Sequence, residues 1–250
     1  MLGLVLPTSK SVLLKTLTIE NCKELYYIQD NIDAVISYLD NLFYTPGLNI
    51  LEKLYCILHI RDLCVGNVVE LRDYSFDVIE IQNELLEIAD IREVLTFNDN
   101  TITLNYPKTF ISTTFYEGHF IETIILDGET IDFCSLSSTE QDLIFNYLPL
   151  EIKTKITEFY KTHISKLEIN FTLRGDNIKL ILYDSFFINF LATMLSPIDI
   201  RTYRDYMFIL SERMHDITFL QKSTFLDIRD YMDLYVKENK ERNDEMKKKS

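Results

Sequence analysis

Four histidines, four cysteines and a scattering of acids are the residues of this 250-residue chain with the chemistry for a catalytic or metal site. His59, His119, His163 and His215 stand dozens of residues apart, and none forms an HxxxH or HExxH pair for metal ligation on a helix. His119 has the richest neighbourhood, flanked by Glu117 and Glu122 in a β-rich stretch. On a strand Glu117 and His119 would share a face and Glu122 would take the other, which predicts a surface histidine near carboxylates. No GxSxG elbow is present, and Ser135-Leu136-Ser137-Ser138 has the composition of a helix-capping cluster. Cys56 and His59 lie three apart on one apolar helix and are expected in the core. Cys22, Cys56, Cys64 and Cys134 show no paired spacing, so reduced buried thiols in a cytosolic protein are expected. Asp132, Asp142 and Asp199 are isolated. No catalytic residue, metal or cofactor is implied, although a site assembled from distant segments stays open as an alternative.

Composition narrows the function classes further. A formal charge of -14 opposes phosphate contact, so nucleic-acid binding is not expected, and neither is adhesion to anionic membranes. Phosphate-cradling loops need clustered glycines, whereas all six glycines here are isolated. The first seven residues lack the basic start and long apolar core of a signal peptide. The run Phe186 to Leu195 is about half the length of a bilayer span. Tyrosines (15) and phenylalanines (16) are abundant while tryptophan is absent. Tyr26-Tyr27, Phe43-Tyr44, Phe159-Tyr160, Phe186-Phe187 and Tyr203 with Tyr206 pair aromatic area with polar tips, which suits contact surfaces. Tyr26, Tyr27, Tyr203, Arg204 and Tyr206 are the candidate partner-contact residues.

The elements that must position these residues follow from periodicity and punctuation. Val12 to Leu17 is expected as a strand, and Thr18 as the cap of a helix carrying Leu25 and Ile28. Helical spacing runs over Ile32 to Tyr44 and over Ile50 to Cys64, with Pro46-Gly47 between and Gly66 after. Arg61, the charged residue inside the third helix's apolar run, is placed to reach a carboxylate or the free carbonyls at the helix end. Hairpins are expected at 68–81 around Arg72-Asp73-Tyr74, at 93–106 around Asn98-Asp99-Asn100, and at 121–133 through Asp127-Gly128. A helix from Ser138 to Tyr147 precedes one opened by Pro149, and a further hairpin spans 167–183 around Gly175-Asp176-Asn177. Helices complete the chain, one starting at Pro197 and one bearing Phe225, Ile228, Met232 and Tyr235 on its apolar face. The expected class is α+β, with helices at both ends and short antiparallel β-hairpins in the middle. Residues 1–136 form a helical start plus a β-rich region, 137–236 a mainly helical region with one hairpin, and 237–250 a mobile charged tail. That tail holds six basic and four acidic residues, a net +2, which leaves -16 on the first 236 residues.

Four segments carry a resemblance. LPTSKSVLLKTLTIENCKEL is similar to the Leu-Pro-Ser/Thr opening of the baseplate hub assembly proteins of T-even-type tailed bacteriophages, followed by a strand and a Leu-Thr helix start. LYCILHIRDLCVGNVVEL resembles their central helix-Arg-x-x-Ser-x-Gly segment, with Cys64 at the serine position. LNYPKTF resembles the Tyr-Pro strand end that follows, and IDIRTYRDYMFILSERM their late Arg-Asp helix. The absence of tryptophan with plentiful Tyr, Phe, Ile and Asn also suits an AT-rich genome, that of a phage or of a low-GC bacterium. The resemblance implies a non-enzymatic, chaperone-like factor that keeps a hub component assembly-competent in the cytoplasm of the infected host. Its implied partners are other hub or tail proteins, with oligomeric state open. A hub subunit retained in the virion is the alternative, and a cytosolic enzyme of unrecognised fold the second.

Overall fold

The first element of the computed structural model is a β-hairpin, β1 (Leu2–Val5) and β2 (Ser11–Leu14), ahead of any helix. Ser9 closes it in the left-handed region at φ 63°. The structure describes all residues except 72–73, 90, 112–113, 174–175, 197–199, 215 and 250.

Helix α1 (Ile19–Ile28) starts where Thr18 and Asn21 form a reciprocal capping box, and α2 (Ile32–Asp40) is capped by Asn31. The second helix ends before Pro46-Gly47, because Phe43 leaves it to bridge Leu14 of β2. Helix α3 (Ile50–Cys64) has apolar residues on every face and is buried nearly all round, so it is the axis of the core. Its first turn is wired by Glu52, 1% exposed, which accepts from Asn49 N, Thr8 Oγ1 and Lys10 Nζ and so ties the first hairpin to the helix.

Strands β3 (Val68–Leu71) and β4 (Tyr74–Asp77) pair antiparallel, and α4 (Val78–Glu84) follows at once. The expectation of strand through Ile81 is therefore corrected. Asp77 accepts from Ile79 N, and this cap turns the apolar run Val78 to Ile81 into a helix. The Arg72-Asp73 part of the turn lies outside the described residues.

A four-stranded antiparallel sheet holds β5 (Glu93–Phe97), β6 (Asn100–Leu104), β7 (Ile121–Leu126) and β8 (Glu129–Asp132) in chain order. Asp127 and Gly128 both take positive φ, 50° and 84°, as a two-residue turn of this hand requires. Helices α5 (Ser138–Tyr147) and α6 (Leu150–His163) come next, then the hairpin β9 (Glu168–Leu173) and β10 (Asp176–Ile181). Four helices finish the chain: α7 (Ser185–Leu195), α8 (Ile200–Met214), α9 (Ile217–Lys222) and α10 (Phe225–Lys249). The Pro197 start and the Gly175 turn position fall outside the described residues. The charged segment expected as a mobile tail forms the end of α10, tied at its base by the Arg213–Glu238 ion pair.

The fold class requires correction. Helices do gather toward both ends and sheets toward the middle, but the chain is mixed and mainly helical, 55% helix against 20% strand. Ten helices and four separate small antiparallel sheets are present among the described residues, and the strands run from Leu2 to Ile181 with helices between them. The Asp77 cap turns sequence that was expected as strand into helix, which moves the balance further toward helix. The N- and C-terminal helices close on each other. Helix α1 packs on α2, α7, α8 and α9, Ser196 Oγ donates to Cys22 O at 2.8 Å, and Ile19 N donates to Ser223 O at 2.9 Å.

Candidate functional site

The tyrosine pair of α1 is presented by the helix's own periodicity. Ile19, Cys22 and Leu25 point into the core, which rotates Tyr27 outward to 59% exposure and leaves Tyr26 half-buried. The two rings meet edge to face at 5.9 Å between centroids. Helix α8 packs beside α1. On it Tyr206 is half-buried against the core and Arg204 is exposed. Tyr203 lies in α8, but its side chain is outside the described set. The structure thus brings the two candidate segments onto neighbouring helices, although they are 180 residues apart in the chain.

A groove of about 460 Å³ is the feature that sequence reasoning missed. It draws on α3, α4, the end of α6 and the start of β9, and it is lined by His163, Lys166, Glu84, Glu87, Glu168 and the buried Tyr106 beside apolar side chains such as Leu51, Leu85 and Ile169. His163 is wedged between Phe159, at 4.5 Å, and Tyr106, at 6.3 Å. Burial lowers its pKa against the opposing pull of Glu93, and Lys166 adds to the lowering. Burial pushes the Tyr106 phenol up to about 12, so at neutral pH it is a hydrogen-bond donor. Glu168 is already engaged by Lys179 Nζ at 2.7 Å and Tyr183 OH at 2.9 Å. This set offers recognition: donors, acceptors and an apolar floor. Its members span more than a hundred residues, so no local spacing announces them.

The remaining polar groups serve the fold. Arg61, 2% exposed, donates Nη2 to Val68 O at 2.7 Å, reaching a carbonyl beyond the helix end, while Nε and Nη1 have no hydrogen-bond partner among the described residues. Burial lowers its pKa to about 10, so it stays charged at neutral pH. Glu122 is drawn into a cluster with Arg92 (3.0 Å), Lys108 (2.8 Å) and Asn105 (3.3 Å). Burial acts to raise its pKa, but the three donors outweigh it and hold the carboxyl below its usual range. Cys22, Cys56 and Cys64 are buried free thiols and Cys134 is a half-buried one. Burial pushes Cys22 and Cys56 up to about 12 and raises the other two, so all four are protonated at neutral pH. Among the described residues no group of three His, Cys, Asp or Glu side chains is placed to hold a metal ion.

His119 differs from its expected setting. It sits in a 3-10 turn, Glu117–Phe120, and not on a strand, with its ring stacked on Phe115 at 5.1 Å and Tyr116 N donating to Nδ1 at 3.1 Å. Gly118 makes the turn possible, since a Cβ there would lie 2.3 Å from the Tyr116 ring. Burial lowers the His119 pKa, opposed by its Tyr116 hydrogen bond and by Asp142. A histidine depressed in the folded state takes its proton first in the unfolded state. The stability it contributes is therefore full above the ordinary value of about 6.5 and is lost as pH falls toward the folded pKa. We expect His119→Gln to flatten the fall in urea midpoint between pH 7.5 and 5.5. His163, shifted the same way, accounts for the slope that remains. An unchanged slope in the variant would contradict this assignment.

No helix among the described residues is long and apolar enough to cross a membrane. No family model, no curated protein and no solved structure matches the chain.

Proposed function

We propose that this chain is a non-enzymatic assembly factor of a tailed bacteriophage, holding a baseplate hub component until the hub closes. The observation that carries the reading is the edge-to-face Tyr26–Tyr27 pair, displayed on a helix packed beside the one bearing Arg204 and Tyr206. Tyrosine and arginine are, with tryptophan, the residues enriched where protein contacts concentrate their energy. The motif resemblance supplies the phage context, and the charge of -14 favours a protein partner over nucleic acid. The mechanism is masking. The aromatic face covers a surface of a hub or tail protein in the host cytoplasm, and release follows when the finished contacts bury more area than the factor does.

Mass spectrometry of purified particles, beside a pull-down from infected-cell lysate, tests the reading. Capture of a hub protein in lysate together with absence from particles is the expected result. Fixed copy number in the particles makes it a retained hub subunit, and absence from both overturns the phage reading. Tyr27→Ala combined with Arg204→Ala is expected to weaken hub-protein capture about tenfold or more. Both side chains are exposed, so the melting temperature should hold within about 4 °C. Undiminished capture would remove this face from the mechanism.

A further inference from the structure

The groove beside His163 holds two polar side chains that the fold leaves without partners. Tyr106 is 4% exposed, and its hydroxyl makes no hydrogen bond among the described residues. A tyrosine buried this deeply ordinarily finds a partner for its hydroxyl within the protein. Unlike the Tyr116 hydroxyl, that of Tyr106 is not sealed off, and the groove is the open space that Tyr106 lines. The His163 ring stands edge-on to Tyr106 and likewise makes no hydrogen bond among the described residues. Its lowered pKa keeps the imidazole neutral at pH 7, so one ring nitrogen offers a lone pair. Both groups can accept from a donor placed between them and solvent.

The surrounding charges set the sign of that donor. Glu84 ends α4 and Glu87 follows it; both are exposed, and neither makes an ion pair among the described residues. Glu168 is engaged by Lys179 and does not count toward a ligand. Lys166 is the lone lysine or arginine among the described lining residues, and Glu93 acts on His163 more strongly than Lys166 does. Two free carboxylates against one lysine, in a chain of net charge -14, favour a cation over an anion. Leu51, Leu85 and Ile169 supply an apolar wall, and about 460 Å³ is a volume typical of sites for small organic ligands.

We infer that the groove is a binding site for a small organic cation, a primary ammonium on an apolar stem. The ammonium donates to the Tyr106 hydroxyl oxygen and a His163 ring nitrogen and faces Glu84 and Glu87. The stem lies along Leu51, Leu85 and Ile169. The groove takes no residue from α1 or α8, so this inference goes beyond the assembly reading and does not depend on it.

The test uses the full chain and three probes that share one stem and differ in the head: 4-phenylbutylamine, 4-phenylbutan-1-ol and 4-phenylbutanoate. In calorimetric titration at neutral pH the amine is expected to bind saturably, about tenfold more tightly than the alcohol or the acid. Tyr106→Phe removes the hydroxyl alone and should weaken amine binding about tenfold. Because that hydroxyl has no partner within the fold, the melting temperature should hold within about 4 °C. A tyrosine with a merely structural role would show the reverse, a lower melting temperature with amine binding retained. Glu84→Gln combined with Glu87→Gln should reduce the preference for amine over alcohol about threefold or more. Absence of saturable amine binding, equal binding of the acid, or undiminished binding by Tyr106→Phe overturns the site. A blocked lysine, Nα-acetyl-lysine methylamide, carries the same head on a peptide backbone. Its binding more tightly than the amine would put a protein's lysine in the groove and overturn the small-molecule assignment.

Discussion

Replacing Phe120 by alanine is expected to lower the unfolding free energy by about 4 kcal/mol, or roughly 8–16 °C in melting temperature for a chain of this size. Phe120 is fully buried at the entry to β7, and its ring touches Tyr106, Phe115, Phe159 and Tyr160. These contacts join the end of β6, the loop before β7 and helix α6 in one aromatic cluster. Alanine would leave a cavity where these elements meet, and neither paired strands nor a packed helix can collapse freely into it. Phe120→Leu keeps most of the volume and should lose much less. Thermal and urea unfolding of both variants checks the order. A loss under about 1 kcal/mol in the alanine variant would mean that the cluster repacks and is not the hinge between sheet and helix.

The second large effect is expected at Glu52. Its carboxylate sits under the first hairpin, with Lys10 Nζ at 2.7 Å, Thr8 Oγ1 at 2.9 Å and Asn49 N at 3.0 Å. Glu52→Ala strands the Asn49 amide and the Thr8 hydroxyl in a space too enclosed for free hydration, at a cost of about 3 kcal/mol. Lys10 is half-exposed and returns to solvent, so its pairing contributes the smaller share. Glu52→Gln keeps an acceptor and should fall between wild type and alanine. Urea midpoints in that order support the wiring. An alanine variant within about 1 kcal/mol of wild type would show that the hairpin is held by Leu6, Val12 and Leu14 alone.

Where one residue carries a local mechanism, the sequence was legible. Thr18 announced α1, the glycine at 66 followed α3 closely, and Asp127-Gly128 closed its hairpin with the backbone signs such a pair requires. Elements held by distant partners were not legible. The first hairpin is anchored by Glu52, some forty residues along, and nothing within residues 1–14 reveals that anchor. Val78 to Ile81 is apolar enough for a strand until Asp77 is seen to cap it. The candidate surfaces divide the same way. Tyr26 and Tyr27 could be placed by counting from Leu25, whereas the His163 groove is assembled from residues 51 to 170. Helix α5 was foreseen, but periodicity cannot report that its Leu143 and Tyr147 face outward, because that depends on what the rest of the chain leaves uncovered.

Every strand in the four sheets pairs with a strand next to it in chain order, so the sheets can form as soon as each hairpin is complete. Helices α1 and α2 differ from the sheets, because both pack on α7 and α1 also on α8 and α9. The hydrogen bond from Ser196 to Cys22 closes a span of 174 residues. At a synthesis rate of about 5–20 residues per second, a nascent chain carries Ile19, Cys22 and Leu25 incompletely covered for roughly ten seconds or more before α7 to α9 leave the ribosome. The protein's own synthesis therefore passes through a stage with its N-terminal third unsealed. During that interval it depends on a holdase chaperone, or on low temperature, more than its finished stability would indicate.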